Sequence, residues 1–101
     1  MEAGVDWAEH WAELDRRLRA LRPLAMRFEG TSAFFDEFLE HNEFEVALHV
    51  LCDRLIEANE VIATPEQVLE IESLHHRMEL QDDCVANLKS KHESSDDARN
   101  R

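Results

Sequence analysis

The chain has 101 residues and carries 11 Lys and Arg against 23 Asp and Glu, a formal net charge of −12. That length fits one domain with a modest core. The acid excess disfavours direct nucleic-acid binding, because phosphate contact needs a basic footprint. With only two Gly and two Pro, and Ala, Leu, Glu and Arg abundant, few breakers interrupt a chain whose residues lose little rotamer freedom in a helix. An all-α fold is expected, a compact bundle of four to five short helices forming a single domain over residues 1–92.

Asp6 is a good N-cap for the first helix, with Glu9 three residues on. Trp7, Trp11, Leu14, Leu18 and Leu21 step by 4, 3, 4 and 3 and form one stripe. Both tryptophans are therefore expected in the core, ahead of the alternative that the pair is an exposed anchor for a partner. The same stripe is how a short coiled-coil seam begins, so a weak homodimer stays open beside a monomer. Pro23 ends this helix or starts a new turn. Gly30 then reads as a break and Thr31-Ser32 as the cap of a short helix whose inner face is Phe34, Phe35, Phe38 and Leu39. Asp36, Glu37 and Glu40 fall between those positions and point to solvent.

Asn42 is read as the next cap, with Glu45 completing a capping box. Phe44, Ala47, Leu48, Leu51, Cys52 and Leu55 recur at helical spacing, and Val46, Val50 and Ile56 widen the stripe, so this helix should be the most buried. Thr64-Pro65-Glu66 joins a capping hydroxyl, a proline at the first helical position and an acid at the positive end of the helix dipole. Val68, Ile71, Leu74 and Met78 supply that helix's inner face. Asp82 caps a last helix expected to run to about Lys91, with Val85 and Leu88 inward and residues 93–101 as a disordered polar tail.

No apolar run approaches the roughly 18 residues of a membrane span. "MEAGVDWAEH" has no basic region leading into an apolar stretch, so no secretory signal is expected and the protein is placed in the cytoplasm. Cys52 and Cys84 sit at apolar positions without metal-type pairing and are expected as reduced core thiols.

The charge is uneven. Residues 1–28 balance five acids with five bases, residues 29–60 set nine acids against Arg54 alone, and residues 61–83 set six against Arg77. Solubility of a small domain needs a net charge of only about 2 to 8, and self-repulsion at higher density costs stability. A basic protein partner is the expected reason for the excess, since complementary potentials speed encounter and select partners.

Candidate chemistry is sparse. Glu72-Ser-Leu-His75 is one Glu-x-x-His element, but carboxylate-bridged di-iron bundles need two plus further inward acids. Glu37 with His41 and Glu45 with His49 are ordinary i,i+4 surface pairs. Cys52 continues the Leu48–Leu51–Leu55 surface, and a buried apolar thiol is inert. With neither a Gly-rich phosphate loop nor a G-x-S-x-G turn, no catalytic site, cofactor or metal is expected.

The stretch "FFDEFLEHNEFEVALHVLCDRLIEANEVIATPEQVLEIESLHHRMEL", Phe34 to Leu80, resembles the small immunity proteins of the Maf polymorphic-toxin systems. The matching features are an aromatic, acid-rich short helix, a Glu-x-x-x-Ala-Leu core helix from Glu43 to Leu48, the acidic "LCDRL" of Leu51 to Leu55 and a Thr-Pro-Glu helix start. The resemblance covers about half the chain, without residues 1–28 or the end beyond Leu80. It implies a non-enzymatic antidote in bacterial competition that binds and neutralises a cognate secreted or contact-delivered toxin domain. Many such toxins are nucleases, and a nuclease presents a basic surface to phosphate. The residues expected to meet that partner are Asp36, Glu37, Glu40, His41, Glu43, Phe44, Asp53, Glu57 and Glu60. The alternative is a helical adaptor or regulator that docks a basic partner without blocking an active site.

Overall fold

The computed structural model describes residues 7–99, with side chains described through His92. Among them are six helices and no strand: α1 (Trp7–Arg19), α2 (Arg22–Ala25), α3 (Thr31–Glu40), α4 (Phe44–Glu57), α5 (Pro65–Arg77) and α6 (Cys84–Arg99). The all-α expectation holds, and the added helix is α2, the turn that Pro23 starts. Asp6, expected to cap the first helix, lies outside the described residues.

Helix α4 is the centre. Phe44, Ala47, Leu48, Leu51, Cys52 and Leu55 are all buried, and α4 packs against α1, α3, α5 and α6. Burying a leucine or phenylalanine side chain stabilises by about 1.5–3 kcal/mol, and α4 gives the core more buried residues than any other described helix. On α3 the buried stripe is Thr31, Phe35 and Leu39, every fourth residue. Phe38 packs on its edge, and Phe34, about 100° further round the helix, is 58% exposed, contrary to the expected four-residue aromatic face. Thr31 is almost wholly buried and its hydroxyl has no hydrogen-bond partner.

Two helix boundaries correct the sequence reading. Gly30, at φ 80°, is the residue before α3, and no hydroxyl caps that helix. Asn42 does not cap α4 either: it lies at φ 59° and closes α3. Its N–H donates to the Leu39 carbonyl at 3.1 Å, and the Glu43 N–H donates to the Phe38 carbonyl at 2.8 Å, the paired bonds of a Schellman ending. Asn serves both as an N-cap and as a left-handed C-terminal residue, so with α3 and α4 this close the two roles look alike in sequence. The α5 start is as expected: Thr64 Oγ1 accepts from Gln67 N–H at 3.1 Å and Gln67 Oε1 accepts from Thr64 N–H at 2.8 Å, a reciprocal capping box.

Helix α6 passes the expected boundary at Lys91, so the polar segment read as a tail is helical in backbone through Arg99. The chain has no Gly or Pro after Pro65 to stop it. Lys91 Nζ also donates to the Leu55, Ile56 and Ala58 carbonyls, a cation on the negative end of α4. No described helix is long and apolar enough to cross a membrane.

Candidate functional site

Helix α1 places two indoles at its N-terminal end. Leu14 and Leu18 continue the same stripe into the core, but Trp7 is 61% exposed and Trp11 48% exposed. This corrects the expectation that both are core residues. The first turns of α1 lie beside the α3–α4 turn and the C-terminal end of α5. A groove of about 480 Å³ results. Its apolar surface comes from Trp7, Trp11, Leu14, Phe44, Val46 and Met78, and Glu43, Glu45 and Glu79 edge it.

The walls are tied together by ion pairs. Arg17 holds Glu70 with Nε–Oε2 at 2.8 Å and Nη2–Oε1 at 2.9 Å, and also donates to Ser73 Oγ at 2.9 Å. Arg77 pairs with Glu13. Both contacts join α1 to α5, so the aromatic wall is set against the Met78–Glu79 end. The hydrogen bonds from Arg17 hold the Glu70 carboxyl below the usual carboxylate range, outweighing its partial burial. His10 meets Trp7 edge to face, with ring centroids 5.5 Å apart.

The groove combines exposed indoles with acids, and His10 and Arg77, the latter held by Glu13, line it as well. Indole faces attract guanidinium and ammonium groups, and the three carboxylates at the edge favour the same charge. Glu45 edges this groove because α4 has no side-chain cap bond to occupy it, contrary to the capping box expected there.

The nine residues expected to meet a partner fall into separate places. Glu43 and Phe44 belong to the groove, with Phe44 buried beneath it at 6% exposure. Glu40 lies on the other side of Trp11, in a shallower recess with Leu39 and Asn42. Glu37 is exposed, and His41 donates from Nδ1 to the Glu37 carbonyl at 2.9 Å. Asp36 is held by Arg22 through Nε at 2.9 Å and Nη2 at 2.8 Å, which pulls its carboxyl below the usual range and makes it a structural acid. Asp53, Glu57 and Glu60 are exposed near the far end of α4, and Glu57 pairs with Arg54 at 3.4 Å. Glu43 and Glu57 are 14 residues apart, about 20 Å along a helix.

Sequence reasoning ranked an exposed Trp7–Trp11 anchor behind core packing and missed Val46, Met78 and Glu79 as site residues. The one available signal was that the tryptophans stand at the N-terminal end of their stripe. Glu72, half of the Glu-x-x-His element, pairs with Lys89 at 3.1 Å, while His75 turns to Asp82. Hydrogen bonding with Cys52 and burial push the Cys84 thiol above its ordinary range, the opposite of an activated nucleophile. Among the described residues, a set of side chains close enough to share a cation is His49, Asp82 and Cys84, one turn from the groove. Comparison of the chain with protein-family models, with curated proteins and with solved structures returned no match.

Proposed function

We propose that this chain is an immunity protein that binds a cognate toxin domain with a basic surface, such as a nuclease, and neutralises it. The observation carrying the proposal is the exposed Trp7–Trp11 pair edged by Glu43, Glu45 and Glu79. Tryptophans of this kind dominate interface energetics, and the surrounding acids complement a phosphate-binding face. The resemblance of Phe34 to Leu80 to Maf immunity proteins and the acid excess of residues 29–83 are separate supports.

The test is co-expression with the adjacent open reading frame in a growth-rescue assay. Rescue by the wild-type chain is expected, with Trp11→Ala weakening toxin affinity by about 2 kcal/mol or more. Binding without rescue would replace the immunity reading with an adaptor that docks a basic partner. No association with the neighbouring gene product would overturn both for that partner.

A further inference from the structure

A second cluster lies one helical turn beyond the groove and is made by three elements. His49 comes from α4, one turn after Glu45; His75 from α5, one turn before Glu79; and Asp82 and Cys84 from the start of α6. His49 Nε2 lies 2.6 Å from Asp82 Oδ2, and His75 Nε2 lies 3.1 Å from Oδ1 of the same carboxylate. A ring nitrogen of His49, a carboxylate oxygen of Asp82 and the Cys84 sulfur all fall within 4.8 Å of one another. The Cys84 side chain is buried against Cys52.

An ion-paired helix cap explains part of this. Asp82 Oδ1 accepts the Cys84 N–H at 3.0 Å, and two imidazole N–H donors would satisfy the rest of the carboxylate. A cap does not require a thiol at the same point, or two imidazoles converging by the same nitrogen from different helices. Those are the features of a coordination sphere.

We propose that His49, His75, Asp82 and Cys84 form a zinc site that staples α4, α5 and the start of α6. One thiolate, two imidazoles and one carboxylate make a four-ligand set of the kind that holds structural zinc tetrahedrally. The mixture suits a borderline-soft dication rather than calcium or magnesium, which take oxygen ligands. Ligand atoms about 2.0–2.3 Å from zinc stand about 3.3–3.8 Å from one another. The His49–Asp82 edge therefore opens by about 0.7 Å, and His75, whose ring nitrogen meets Asp82 but stands outside the three ligand atoms that lie within 4.8 Å of one another, swings toward His49 and Cys84 to complete the set. On coordination Cys84 releases its thiol proton to solvent. The site would brace the helices that carry Glu45 and Glu79, behind the groove, independently of what occupies that groove.

The full chain, stripped with chelator and kept reduced, is titrated with Co(II) and then Zn(II). One equivalent of Co(II) should give the visible bands of tetrahedral cobalt and a thiolate charge-transfer band, both abolished by one equivalent of zinc. Saturating zinc should raise Tm by about 10 °C, reversed by chelator. Cys84→Ser should remove the charge-transfer band, and His49→Gln should weaken zinc binding by at least about tenfold. If Cys84→Ser fails to fold, the half-exposed His49 and Asp82 decide the matter through His49→Gln and Asp82→Asn. No cobalt spectrum and no zinc-dependent Tm in the wild-type chain would overturn the site. So would zinc affinity unchanged in both of those variants.

Discussion

Glu79 occupies the left-handed backbone region at φ 58°, immediately after the α5 cap at Met78. Its N–H donates to the His76 carbonyl at 3.0 Å and the Leu80 N–H donates to the His75 carbonyl at 3.2 Å, so α5 ends by the same Schellman geometry as α3. Asn42 tolerates that conformation; a glutamate does so at a cost of about 1–2 kcal/mol. The strained residue also edges the groove, and strain retained where a ligand would sit is a familiar trade. Glu79→Gly should therefore raise the urea midpoint, by about 1 kcal/mol of added stability, while slowing association with a basic partner. A lower midpoint would mean that the Glu79 side chain holds the α5 end by contacts worth more than its strain. This feature was not legible in the sequence. Glycine announces a left-handed ending, as Gly30 did for the break before α3, whereas Met78-Glu79-Leu80 carries no such mark.

At the scale of elements, the stripe that defines α1 was legible and its fate was not. Periodicity places Trp7, Trp11, Leu14 and Leu18 on one face but does not say how far α4 extends beneath them. Leu14 and Leu18 are buried and the tryptophans are not. Beside the Arg77–Glu13 pair, what sets α1 against α5 is a long-range ion pair, Arg17 with Glu70, 53 residues apart, which no local pattern encodes. Its side chains are 19% and 34% exposed, so solvent screening limits the pair to about 0.5–1 kcal/mol despite its bidentate geometry. The folded carboxyl of Glu70 lies below its unfolded value. The contribution is thus fully present above the unfolded carboxylate pKa of about 4.3 and is lost as pH falls through the lower folded value. Glu70→Gln should lower Tm at pH 7 by a few degrees, and the difference from wild type should vanish with acidification below about pH 4. A gap that persists at low pH would show that packing around Glu70, not its charge, joins the two helices.

At the scale of the whole molecule, the all-α fold and the buried stripe of α4 followed from composition and spacing, because both are local properties summed along the chain. The acid excess was equally plain, but a count of acids does not say which ones share a surface. Folding takes Asp36 out of the partner-facing set by pairing it with Arg22 and brings Glu43 and Glu45 beside Glu79, more than thirty positions later in sequence. It leaves Asp53 and Glu57 toward the other end of α4. Exposed charges farther apart than the Debye length of about 8 Å at physiological salt act largely independently. The two ends of α4, about 20 Å apart, are therefore separable in one experiment. Only the groove end combines its acids with exposed indoles, so it should dominate both steering and docking. Glu43→Lys with Glu45→Lys should slow association with the basic partner by about tenfold at low salt and flatten its salt dependence. Asp53→Lys with Glu57→Lys changes net charge by the same amount and should slow it far less. Equal losses would assign the effect to total charge, and a larger loss from the second pair would move the interface to the far end of α4.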